Sequence, residues 1–524
     1  MNAEPSRPVG VIVTTVLLLV YSATVARGLT LWDAGEFLAA IHSLGIPHPP
    51  GTPLYVVVAH VWSLITAPLL GFTLAVNLFS AVCTAAAFGV LSNLLYRWTQ
   101  YPVASAVAGI CAGTMSTVWL NATETEVYAF ALLVASLILW VANRARETQD
   151  VRWVILAAYL CGLGWSLHLT ALVTVPAAFY LVMVSGIRVR FRDVAAAIGV
   201  ALIAATAVLF MMIRAEHDPA INQGNPVTWS TMWEVIQRKQ YPVAALWPRQ
   251  APWWIQVGNV FEYADWQFAL GLNSDPGPSW FRTSITVLFT GLGIVGSVLH
   301  RMRDRLSWRV LLILLLTGTL AVVAYLNLKA GPSFGYGVLP DTALREARER
   351  DYFFIFGFLV WGLWAGYGAV MIARRYTQTA RFPAMAVATA AAVVVACSPI
   401  ALNWRAVEAE RGGSSAKVLA DAKSMLNAVP ERGVFLAIGD NDTYPLWYLQ
   451  EVHGFRRDVV VVTIPLLGPS WYREELARRY GLLDRSHERW LGTDATLSEL
   501  RQRAAAQGRA VVHSPLPTFI DPLP

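Results

Sequence analysis

The segment His48-Pro49-Pro50-Gly51-Thr52-Pro53 and the apolar run behind it, Leu54-Tyr55-Val56-Val57-Val58-Ala59-His60-Val61-Trp62-Ser63-Leu64-Ile65-Thr66-Ala67-Pro68-Leu69-Leu70, decide how the chain is threaded. The run approaches the ~20 residues that cross a bilayer. Similar runs recur at 9–26, 74–95, 103–120, 127–142, 153–166, 169–184, 194–213, 284–299, 309–327, 352–372 and 383–401. Short basic loops separate them: Arg97; Arg144, Arg146 and Arg152; Arg188, Arg190 and Arg192; Arg301, Arg303, Arg305 and Arg309; Arg374, Arg375 and Arg381. Loops of this kind face the cytoplasm. With the N-terminus and Arg7 inside, all of them do so only if 54–70 does not cross. The run is therefore read as an outer interfacial or re-entrant helix, which leaves about eleven spans.

Composition agrees. Of 524 residues, 56% are hydrophobic and 14% charged, and mean hydropathy is +0.48. A soluble chain carries about 25% charged residues, so an ordinary soluble enzyme, a coiled coil and a disordered chain are excluded. The net charge of +6 comes largely from the loop arginines and does not indicate nucleic acid. The four cysteines lie in apolar runs and suggest neither disulfides nor a metal. The first span lacks an Ala-x-Ala cleavage pattern and reads as uncleaved.

The expected fold is a polytopic α-helical membrane protein with a small C-terminal α/β domain. Residues 1–401 form the membrane domain, with outer loops 27–73, 214–283 and 328–351; residues 402–524 form the outer domain. Tryptophans in 214–283 suit a headgroup belt. In the tail, Ser414–Ala428 reads as a helix, Gly433–Ile438 as a strand, 439–443 as a capped loop, Tyr444–His453 as a helix and Asp458–Ile464 as a strand parallel to the first.

Acidic residues are scarce early in the chain, so their positions inform. Asp33 and Glu36 follow the first span in Trp32-Asp33-Ala34-Gly35-Glu36-Phe37. Their spacing fits a capping box as well as a pair of carboxylates on one helical face. Thr123 and Glu126 repeat the capping spacing, with Glu124 spare and at the same membrane depth as Asp33. His168 sits in a tight outer turn, where it is either a satisfied core residue or a site group. His48 and His42 lack partners for zinc. In Arg345-Glu346-Ala347-Arg348-Glu349-Arg350-Asp351, cations sit on the outer side against the usual bias. Either the turn pairs internally, Glu346 with Arg350, or Arg348 and Arg350 meet an anion such as a lipid phosphate. Asp440 and Asp442 read as a turn with an Asx cap.

Five stretches together carry a resemblance: Trp32–Phe37 with Leu44–Tyr55, TETEVYAF at 123–130, GLGWSLHLTAL at 162–172, RERDYFF at 348–354, and GDNDTYPLWYLQEVHGFRRDVVVV at 439–462. The chain resembles bacterial domain-of-unknown-function family 2723, relatives of the transmembrane protein 260 protein O-mannosyltransferases within the GT-C glycosyltransferase superfamily. The resemblance implies a polyprenyl-phosphate-sugar donor, a catalytic acid in the first outer loop, here Asp33 with Glu36 beside it, and juxtamembrane helices before the second span. Substrate contacts are expected from His48, Glu124, Glu126, His168, Arg348 and Arg350, with no metal and no cofactor. A hexose, mannose first, would move to a protein Ser/Thr hydroxyl or a glycan on the outer, periplasmic face of a bacterial inner membrane. A transporter or flippase, or a non-catalytic envelope assembly factor, is the alternative class.

Overall fold

The computed structural model describes residues 7–241, 244–377, 382–408, 411, 414–484 and 490–515. Arg381, one of the inward basic residues, lies outside them. The chain is a polytopic α-helical membrane protein with a small α/β region near its end. Among the described residues, eight helices are long and apolar enough to cross a bilayer, or nine if one bent pair counts as a span. With the shorter apolar helices Pro8–Thr24, Arg152–Leu167 and Leu169–Met183, each of the eleven expected spans is a helix. Pro53–Leu70, at 18 residues the shortest of the eight, is still long and apolar enough to cross, so its length and composition alone do not keep it out of the bilayer.

One expected span, 103–120, is broken. Pro102–Gly113 and Ser116–Ala122 meet at 73°. The break is supported from neighbouring helices. Tyr21 donates its hydroxyl to the Gly113 carbonyl at 2.5 Å, and Asn403 donates Nδ2 to the Thr114 carbonyl at 2.9 Å. Irregular backbone at membrane depth persists only where its polar groups are satisfied in this way.

The chain forms two compact units, each discontinuous in sequence. The first comprises 1–25, 78–205 and 244–410. Its Ile355–Tyr376 helix is buried over most of its length. There Gly368 faces the Trp280–Arg303 helix so closely that a Cβ would lie 2.2 Å from the Leu292 carbonyl oxygen, the small-residue contact that lets membrane helices approach.

The second unit comprises 26–77, 206–243 and 411–524. A boundary at 401/402 therefore does not describe it, because the tail folds with the first outer loop, with Pro53–Leu70 and with part of 214–283. The reason is pairing that spans the sequence. Ile46 donates its amide to Ile221 at 2.7 Å and accepts from the Gln223 amide at 3.0 Å, while its side chain packs on Met211, Ala215 and Val235. Thr73 and Tyr448 share a hydroxyl bond of 2.6 Å. A three-stranded parallel sheet lies in this unit, with β1 (Val434–Ala437) between β2 (Val460–Thr463) and β3 (Val511–His513). β1 and β2 are buried throughout, as apolar parallel strands should be. The parallel pair agrees with the sequence reading, and β3 adds to it. The expected loop 439–443 is instead the first turn of the Asp440–His453 helix. The Asp442 carboxylate accepts from the Ile438 and Gly439 amides at 2.9 and 2.8 Å, which fixes that start.

Candidate functional site

The predicted site residues fall into two groups, one in each unit. Asp33, Glu36 and His48 belong to the second unit. Asp33 is the residue before the Ala34–Ser43 helix, is half-buried, and makes no side-chain cap bond. The capping-box reading of this pair is therefore not what the geometry shows. Glu36 is fully buried. It accepts the His48 amide at 2.8 Å on Oε1 and faces His48 Nδ1 at 2.5 Å with Oε2. Gln223 Nε2 donates to its Oε1, and Gln240 donates in turn to Gln223 Oε1 at 3.1 Å. A buried carboxylate needs this degree of satisfaction.

Burial alone would pull the His48 imidazole down. The Glu36 charge and hydrogen bond, with the charges of Asp33 and Asp440, overcome it and lift the group to about 9. At neutral pH His48 is thus a cation facing three carboxylates. Phe37 packs beside it, with ring centroids 5.5 Å apart.

Two features of the tail complete this group. Asn441 Oδ1 accepts the Trp32 amide at 2.8 Å. Trp32 has φ +61°, a left-handed conformation costing of order 1–3 kcal/mol for a bulky residue, of the kind that clusters at functional sites. Gly35 lies against the Asp440–His453 helix, where a Cβ would meet the Tyr444 carbonyl oxygen at 2.6 Å, so only glycine fits. The turn 439–443, read from sequence as a capped loop of the tail, is thus built into the Asp33 neighbourhood. Sequence reasoning missed Gln223, Asn441 and the electrostatic part of Asp440. They are distant in the chain, and only the acidic turn itself offered a signal.

The second group lies in the first unit. Glu126 caps the Val127–Thr148 helix itself, accepting the Val127 amide at 3.2 Å. Thr123 instead ends the preceding helix and donates to the Trp119 carbonyl at 2.9 Å. The expected box between them does not form, because the chain is extended at Glu126 (φ −142°). Glu124 is half-buried. His168 Nδ1 accepts the Thr170 amide at 3.2 Å, capping a short helix. Its ring meets Tyr128 at 5.2 Å, Tyr128 meets Tyr352 at 5.0 Å, and the Arg348 guanidinium lies 4.9 Å over the Tyr352 ring. Glu126, Tyr128, His168 and Arg348 are therefore linked in one neighbourhood.

Arg350 bonds Glu346 Oε2 at 3.2 Å and the Tyr352 hydroxyl at 2.6 Å. The internally paired reading of the turn is realised for Arg350, though not by Glu346 alone. Arg345 is spent on the loop, donating to the Gly331 and Phe334 carbonyls at 2.7 and 2.8 Å. Behind the turn, the Ser333 hydroxyl lies within hydrogen-bond reach of both Glu262 and Glu349. Burial and the neighbouring Glu349 raise Glu262 to about 7.

Residues 33–191 match the model of the Protein O-mannosyl-transferase TMEM260 N-terminal domain, and 419–481 match TMEM260-associated domain 2. The Protein O-mannosyl-transferase tmem260 of Dictyostelium discoideum is 22% identical over 183 residues, covering 32% of this chain and 22% of that protein. The Protein O-mannosyl-transferase TMEM260 of Mus musculus is 27% identical over 154 residues, covering 28% of this chain and 21% of that protein. The chain thus spans about a fifth of the length of these curated relatives. The crystal structure of ArnT from Cupriavidus metallidurans in the apo state superposes with a TM-score of 0.52 at 11% identity, over 96% of this chain and 89% of that one. The chain is accordingly similar to the TMEM260 protein O-mannosyl-transferases in two stretches, one holding Asp33, Glu36 and His48 and the other the whole Asp440–His453 helix, on a fold like that of ArnT.

Proposed function

We propose that the chain is a membrane glycosyltransferase that moves a hexose, mannose first, from a polyprenyl-phosphate sugar to a protein Ser/Thr hydroxyl on the periplasmic face. One observation carries the assignment of roles. Of the two carboxylates after the first span, Glu36 is fully buried with both oxygens engaged, while Asp33 is half-buried and performs no capping. Asp33 is then the general base, and Glu36 holds His48 in place. The acceptor hydroxyl gives its proton to Asp33 as its oxygen bonds the anomeric carbon. The bond from that carbon to the donor phosphate breaks in the same step, and the electron pair leaves with the polyprenyl phosphate. The configuration inverts, by analogy with single-displacement glycosidases. A phosphate leaving group needs little acid help, whereas a hydroxyl nucleophile gains from a base. Arg348 and Arg350 are the candidates for the departing charge.

The outer placement rests on the basic loops, and it is supported by the grouping of Pro53–Leu70 with the outer-loop stretches and the tail in one unit. The deciding experiment supplies purified protein with polyprenyl-phosphate mannose and a Ser/Thr peptide. Wild type should transfer, and Asp33→Asn should not. Orientation is read by labelling Ser424→Cys and Thr148→Cys, both at exposed positions. A membrane-impermeant reagent should reach the first and not the second from outside; the reverse would overturn the placement.

A further inference from the structure

Apart from the carboxylate cluster, the second unit holds a cavity of about 220 Å³ in which Trp447, Tyr480, Glu451, Glu475, Arg457 and Arg479 line the walls. We infer that this cavity is a binding site for a single neutral hexose ring. It goes beyond the transfer reaction proposed above, which needs no second sugar site, and is tested separately from it.

Size is the first argument. Pockets for drug-sized ligands run to about 300–1,000 Å³, so this one admits a single ring or side chain. Charge is the second. Each arginine has a carboxylate in the same wall: Arg479 lies 3.2 Å from Glu475, and Arg457 3.9 Å from Glu451. Arg479 is further committed to Asp218 and to the Pro219 carbonyl at 2.7 Å. A wall so balanced offers an anion repulsion as well as attraction, and offers a cation the same. It suits a neutral ligand with many hydroxyls, each able to donate to a carboxylate and accept from a guanidinium. The Nε of Arg479 is buried with no hydrogen-bond partner among the described residues, a donor of that sort. Trp447 and Tyr480 add aromatic surface for the apolar face of a sugar.

The cavity shares its supports with the Asp33 neighbourhood. Trp447 and Glu451 stand on the helix whose first turn holds Asn441 against the Trp32 amide. Ile221, also in the wall, bonds Ile46 just ahead of Gln223, which donates to Glu36. A sugar held here would lie on the same framework as the proposed base, where an acceptor already bearing a hexose would be gripped.

The test uses the full chain in nanodiscs, methyl α-D-mannopyranoside and methyl α-D-glucopyranoside as probes, and saturation-transfer NMR. At least one hexoside should bind saturably. Glu475→Gln and Glu451→Gln, checked for an unchanged thermal transition, should each weaken it about tenfold through loss of a carboxyl acceptor. If those variants fail to fold, Arg457→Ala serves, since that side chain is 59% exposed, and it should weaken binding several-fold. Asp33→Asn should bind as wild type does, which separates this site from the reaction. No hexoside signal in wild type, undiminished binding in the folded variants, or saturable binding of inorganic phosphate or N-acetylserine amide in place of a hexoside would overturn the inference.

Discussion

The Asp33–His48 neighbourhood and the Arg345–Tyr352 turn use similar charged residues to opposite ends. Around His48, a fully buried carboxylate fixes a cation and leaves a second carboxylate, Asp33, nearer the surface. In the turn, Arg345 and Arg350 are bound to backbone, Glu346 and Tyr352, while Arg348 is held over an aromatic ring. The role of a charged group is thus set by its neighbours. A carboxylate with both oxygens engaged in a buried pair is architecture; the one beside it is the better candidate for chemistry.

The comparison breaks first at Asp33. Asp33→Asn should lower turnover by roughly 10²–10⁴-fold with donor binding retained. Since Asn caps helices about as well as Asp, an active variant would return Asp33 to a structural role and leave Glu124 to be tested. Glu36→Gln should instead act on the fold. Breaking a buried pair costs about 3–5 kcal/mol when the partner stays charged. His48 can shed its proton, so a loss near the lower figure is expected, read from chemical denaturation.

The pH dependence sharpens the same contrast. His48 is raised to about 9 in the folded protein, against an ordinary value of about 6.5. Folding therefore takes up a proton between those values. The stabilisation is complete below about pH 6.5 and is lost as pH rises through about 9. In Glu36→Gln the upward pull of Glu36 is gone, and NMR titration should find His48 well below 9. Thermal stability of the variant should then fall less than that of wild type across this window. An equal fall would remove His48 from the account.

Smaller effects are expected in the turn. Arg348→Ala should weaken donor binding about tenfold, as loss of a charged contact does. Arg350→Ala should combine weaker binding with a lower melting temperature, and Arg350→Lys should only partly restore either, since the planar fork is lost. Equal binding in wild type and Arg348→Ala would transfer the phosphate role elsewhere. Asn441→Ala should cost about 1 kcal/mol through the Trp32 amide, with a several-fold loss of turnover.

The membrane helices were legible because hydrophobic runs and arginine loops are local signals, and each expected span has its helix. The broken helix at Gly113 was not, because what supports it is Tyr21 and Asn403 from distant helices. Asp33 and Glu36 stood out through scarcity and spacing, yet spacing alone could not distinguish a cap from a pair whose real partners are His48 and Gln223. Asn441 lies 409 positions from Trp32, and no pattern in either segment announces the bond. The helix after β1 reads late from sequence because 439–443 looks like a loop ending in a helix cap; Asp442, bonding backward to the Ile438 and Gly439 amides, starts it at Asp440 instead.

The three-part second unit bears on how such chains can be recombined. A crossover at the end of the last span would deliver a foreign tail to a resident first loop, and the Trp32–Asn441 bond and the Gly35–Tyr444 contact would have to match by chance. Stretches 26–77, 206–243 and 411–524 would therefore have to be exchanged together for these contacts to be kept, despite the membrane helices encoded between them. A chimera that takes all three from one parent keeps the Trp32–Asn441 bond and the Gly35–Tyr444 contact whichever parent supplies the bundle.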